Sequence, residues 1–170
     1  MAKKKITFDL KTLAIFGVMI VALVFAIVGV CSGWIAAETT NILTQEKGLE
    51  FTTFGEWAEM NSSLVEAGGE GLTGFGAMAA FAIMAIIFTG LTLVASGARL
   101  FVKSKLVGLI TFVISVLAVA CGVAAIITTY TFCGEITTKI LPYMPAYGAW
   151  FVGVAGVLGG VAGVYNLIKK

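Results

Sequence analysis

The 170-residue chain has no histidine, three cysteines and two prolines, and only 12% of its residues are charged. Without histidine it lacks the commonest protein ligand for transition metals and the usual general acid/base near neutral pH. Three cysteines without CxxC spacing do not make a zinc site and are too few for a disulfide framework. A nucleophile such as Ser115 or Cys121 has no titratable neighbour in its own apolar stretch to activate it. Lysines and arginine are not interleaved with aromatic residues, as strand stacking on nucleic acid requires. These absences point to a protein that is not an enzyme and takes no cofactor, metal or nucleic acid.

What is present is apolar: 59% of residues are hydrophobic. Crossing about 30 Å of hydrocarbon takes roughly 20 mostly apolar residues. Four stretches qualify, at about 13–37, 74–98, 106–130 and 147–168, and none contains Asp, Glu, Lys or Arg. They leave an outer segment at 38–73, a tight basic hairpin at 99–105 and a second outer loop at 131–146 that holds both prolines. The fold expected is an all-α integral membrane protein in one domain, a left-handed four-helix transmembrane bundle. A short outer amphipathic helix lies between helices 1 and 2, within 45–70, with Phe54, Trp57, Met60 or Asn61, and Leu64 on one stripe.

Charge sets the orientation. Lys3, Lys4, Lys5, Lys11, Arg99, Lys103, Lys105, Lys169 and Lys170 share one side, nine of the eleven basic residues, with only Asp9 against them. By the positive-inside rule that side is cytoplasmic, so both termini are inside, and the membrane expected is the plasma membrane. The outer side carries eight glutamates, from Glu38 to Glu135. Trp34, Tyr130, Tyr143, Tyr147 and Trp150 mark its boundary, where aromatic rings favour the headgroup level. The Lys-rich start followed by an apolar run resembles a signal peptide, but the run is too long for an h-region and is read as a retained anchor helix. Cys31 and Cys133 fall near the outer ends of their helices and are candidates for a bridge, with free thiols as the alternative. Asn61, in "NSS", fits a glycosylation sequon.

The stretch "GVAGVLGGVAGVYN", 153–166, is the densest feature, with five glycines between Gly153 and Gly163. A phosphate loop would need a strand before the glycines and a lysine or hydroxyl after them. Inside a span, non-helical backbone would leave polar groups unpaired at several kcal/mol each. The spacing instead gives a seam: Ala149, Gly153, Gly156, Gly160 and Gly163. The other spans repeat it, with Gly108, Thr111, Ser115, Ala118, Gly122 and Ala125 in the third. Ala82, Ala85, Thr89, Thr92 and Ser96 form it in the second, and Ala22, Ala26, Gly29, Gly33 and Ala36 in the first. Small residues let backbones approach where hydrophobicity cannot drive helices together, and a 3.5-residue repeat favours left-handed crossing near +20°. These glycines are read as helix-packing surface, within one bundle or between subunits.

The hydroxyls Thr89, Thr92 and Ser96, with Thr111 and Ser115, share helix faces, so two functions remain open. The first is a non-catalytic tetraspan protein that assembles through its small-residue faces, as a scaffold or a subunit of a larger complex. The alternative is a homo-oligomeric channel with an acidic mouth and a hydroxyl-lined path. The partners expected are the lipid bilayer and either further copies of the chain or other membrane subunits. In outline the arrangement resembles the tetraspan claudins and MARVEL proteins, with inner termini, a long first outer segment and a short second one. That resemblance implies topology alone. The claudin pattern of a tryptophan, Gly-Leu-Trp and two cysteines is absent from 38–73, which holds Trp57 but no cysteine.

Overall fold

A computed structural model describes residues 10–40, 47–102, 104–137 and 141–168. Eight elements follow in order: α1 (Leu10–Cys31), β1 (Gly33–Thr40), β2 (Lys47–Thr53), α2 (Phe54–Glu66), α3 (Phe75–Phe101), α4 (Lys105–Ile136), β3 (Tyr143–Pro145) and α5 (Tyr147–Ile168). Lys3, Lys4, Lys5, Asp9, Lys103, Lys169 and Lys170, used above for orientation, lie outside the described residues.

The four helices α1, α3, α4 and α5 are long and apolar enough to cross a membrane, which fits an integral membrane protein. Even the shortest, at 22 residues, reaches about 33 Å at roughly 1.5 Å per residue, enough for the hydrocarbon layer. α5 packs against α1 and α4, α3 packs against α4 and α1, and α3 also meets α5 across the bundle. The α4 helix is longer, at 32 residues, and its last turns carry Phe132 and Cys133 into a head built on one end of the bundle.

The all-α expectation is corrected by that head, which contains a three-stranded antiparallel sheet in the order β2-β1-β3. The first span ends at Cys31, not at 37, and Gly33–Thr40 is the central strand. Hydropathy does not distinguish the two states here. "GWIAA" is as apolar as the helix before it, and Trp34 to Ala37 are buried at the centre of the sheet, between β2 and β3. Gly33 and Ala36, assigned above to a helical seam, are therefore strand residues. At the other end of the chain's third span, α4 continues through 131–136, so that part of the second outer loop is helical.

α2 starts on a capping box that the sequence spells as Thr53-Phe-Gly-Glu56. The Thr53 hydroxyl accepts from the Glu56 amide at 3.3 Å, and the Thr53 amide donates back to the Glu56 carboxylate at 2.7 Å. That amide, and next the Thr53 hydroxyl, hold the Glu56 carboxyl below its ordinary range. Phe54, Trp57 and Asn61 turn inward, while Met60 and Leu64 are exposed. Asn61 resolves the choice left open in the sequence: its Oδ1 accepts from the Leu72 amide at 2.7 Å and ties the loop after α2 back to the helix. The glycosylation candidate is thus a helical residue with its amide already engaged. The loop closes at Gly74, whose φ of +77° suits glycine, and the Glu135 carboxylate lies 2.8 Å from where a Cβ would stand.

Candidate functional site: the small-residue interfaces and their polar ends

α5 supplies the closest approaches. A Cβ on Gly156 would stand 2.7 Å from the Ala118 carbonyl oxygen, and one on Gly122 would stand 3.4 Å from the Gly156 Cα. A Cβ on Gly29 would stand 2.7 Å from the Gly148 carbonyl oxygen, where α1 crosses α5. On Gly108 it would stand 2.8 Å from the Asn166 carbonyl oxygen. These neighbours are backbone and cannot swing aside. Gly153 and Gly160 differ, because they face the tips of Ile126 and Val119, and Gly163 is filled by the Ser115 hydroxyl. Gly33 faces Phe51 and the Tyr147 hydroxyl, in the sheet and not between helices. Gly148 was missed by the sequence reading because it stands one residue after the start of its span, where the seam had no earlier member.

All five hydroxyls proposed for a path lie inside a single chain's bundle, each at most 1% exposed. Thr92 donates to the Phe88 carbonyl at 2.8 Å, Thr111 to Val107 at 2.7 Å and Ser115 to Phe112 at 2.7 Å. Such back-bonding satisfies a hydroxyl within its own helix. Thr89 Oγ1 has no partner among the described residues.

Toward the end opposite the head, the polar groups join. Asn166 is 1% exposed, and its amide nitrogen donates to Ser96 Oγ at 3.1 Å and to the Ala162 carbonyl at 2.9 Å. The Arg99 guanidinium donates to the carbonyl of Asn166 and, at 2.8 Å, to that of Ser104. One cation thereby ties the last turn of α5 to the α3–α4 turn, where a positive charge also complements the α5 dipole. The position of Asn166, three residues after Gly163, was the available signal for this residue.

In the head, Trp34 is 0% exposed and its Nε1 lies 3.2 Å from both Thr129 Oγ1 and Met78 Sδ. It is a core anchor, which corrects its assignment to the boundary belt. Its ring meets Phe54 edge-on at 5.3 Å, and Trp57, Phe75, Phe132 and Tyr143 continue the cluster. Tyr130, Tyr147 and Trp150 are exposed on the bundle's flank. Cys31, Cys121 and Cys133 are free thiols, so the candidate bridge between Cys31 and Cys133 is not formed. Among the described residues no three of His, Cys, Asp and Glu come together to hold a metal. No protein-family model matches the chain, and no curated protein matches it in sequence.

Proposed function

We propose that this chain is a non-catalytic tetraspan membrane protein that serves as a scaffold or a subunit of a larger membrane complex. Its small-residue faces close the bundle of one chain. The observation that carries this reading is the complete burial of Thr89, Thr92, Ser96, Thr111 and Ser115 together with the glycine faces inside a single chain. A channel lined by those hydroxyls would need them turned to water. The seam spacing of four and three residues supports left-handed crossing. The orientation has support from the described charges: Lys11, Arg99 and Lys105 lie at the end opposite the sheet, whereas Glu38, Glu50, Glu56, Glu59, Glu66, Glu70 and Glu135 belong to the head. By the positive-inside rule the head faces outward, with the plasma membrane as its proposed location.

The test is the mass of the nanodisc-embedded protein by native mass spectrometry, paired with conductance in a planar bilayer. One chain per particle and no conductance are expected. A ring of four or more chains that conducts would overturn the scaffold reading in favour of the channel.

A further inference from the structure

The two faces of the head sheet differ. Register and alternation put Ala36, Glu38, Leu49 and Phe51 on one face with Met144 of β3, and Ile35, Ala37, Glu50 and Thr52 on the other with Tyr143. On the second face the Trp57 ring of α2 meets Tyr143 at 5.9 Å, while Glu50 on β2 stays exposed. The first face is open at large apolar residues: Leu49 is 53% exposed, Phe51 46% and Met144 41%. An open apolar group of this kind marks a contact surface.

What covers it follows from where it leads. The Phe51 ring lies 5.4 Å from Tyr147, Tyr147 lies 6.1 Å from Phe151, and Phe151 stacks on Phe25 of α1 at 5.6 Å. This aromatic ladder runs without a break from the head-side turns of α1 and α5 onto the sheet. Tyr147 also heads a stripe of α5, with Trp150, Val154, Val157, Val161 and Val164, that stays exposed along the whole helix and is the surface lipid covers on the spanning reading. Toward the sheet's far end the same face becomes polar, with Lys47 donating to Glu38 at 2.6 Å. Apolar side chains at the bundle edge and an ion pair beyond them match the gradient from acyl chains to headgroups.

We infer that this face of the sheet rests in the membrane, with Leu49, Phe51 and Met144 seated in the upper acyl layer of the head-side leaflet. The bilayer itself is the partner, and the head is held down on one side like a flap. The inference rests on the reading that the four helices span a bilayer, and extends the lipid contact from the helices to the sheet. The open edge of β2 then lies at the headgroup level, where the membrane limits strand addition by other chains.

The test uses an environment-sensitive fluorophore on single exposed cysteines, Leu49→Cys, Met144→Cys and Glu50→Cys, each in phosphatidylcholine vesicles and in a Cys31→Ser background whose other two thiols, Cys121 and Cys133, are buried. Glu50 neighbours Leu49 but faces the other way and is exposed. Labels at 49 and 144 should be quenched by lipid carrying a nitroxide near the headgroup, and be several-fold less quenched by aqueous iodide than the label at 50. Equal iodide quenching at 49 and 50 would overturn the inference. Shielding from iodide at 49 without lipid quenching, together with self-quenching between labelled copies, would also overturn it and identify a second copy as the cover. A Val154→Cys label separates the two levels of the reading: if it too escapes lipid quenching, the spanning assignment fails and not merely the seating of the sheet.

Discussion

The bundle and the head are held together by opposite means. Between α4 and α5 the closest contacts are made by residues with no side chain, Gly122, Gly153 and Gly156, and by hydroxyls bonded to their own helices. In the head the centre is the largest side chains available: Trp34, Trp57, Phe75 and Phe132. Solvent explains the contrast. Lipid tails are as apolar as leucine, so burying bulk between helices gains little, and association depends on close backbone approach. In water, burying an aromatic ring removes a large apolar area and stabilises directly. The same chain uses both rules, and α4 passes from one to the other along its length.

The sharpest break in the comparison is Gly156→Leu. A side chain there meets the Ala118 carbonyl, so the chain should lose its folded, monodisperse state, whereas Val157→Leu on the exposed flank should leave it intact. Size-exclusion profiles in detergent check this, and equal tolerance at both positions would remove the backbone-contact argument. Gly160→Ala should be milder than Gly156→Ala, because Val119 offers only a side-chain tip. Next, Trp34→Ala should cost about 3–5 kcal/mol, read by thermal unfolding of the head, since it empties a fully buried site.

Two threonines sharpen the comparison further. Thr129→Val should destabilise by about 1 kcal/mol through loss of the hydrogen bond from Trp34. Thr89→Val should be neutral or stabilising, because its buried hydroxyl has no partner to lose. Identical destabilisation at both would contradict the hydrogen-bond assignments. The smallest effect is Thr53→Ala, about 1 kcal/mol for the cap of α2. Its partner Glu56 has a lowered pKa when folded, so its contribution is present above the ordinary carboxylate range and is lost as pH falls through the folded value. Glu56→Gln should flatten that acid dependence in a circular-dichroism melt.

How much was legible follows the same division. Four spans could be read from composition because lipid imposes one rule on every residue of a crossing helix. The seams on α3, α4 and α5 could be read as spacing, although spacing does not say whether Gly156 meets a backbone and Gly160 a side chain. The head was largely illegible. "GWIAA" satisfies both the helical seam and a buried central strand, and only pairing with β2 and β3, drawn from two distant connectors, decides between them. Trp34 looked like a boundary residue because its position in sequence is the end of a span, while its partners Met78 and Thr129 are far along the chain. Asn166 is enclosed by Ser96 and Arg99, which α3 brings from 70 and 67 residues away in the chain, so its partners have no local signal.

The central claim is that the small-residue faces close one chain into a dry bundle. Its most direct test is the reaction of Thr92→Cys and Ser115→Cys, in a Cys31→Ser background in nanodiscs, with a membrane-impermeant maleimide counted by intact mass. The account predicts no adduct at either position while a Glu59→Cys control is fully labelled. Labelling of Thr92→Cys and Ser115→Cys at the rate of the control would contradict it, because those hydroxyl positions would then line water.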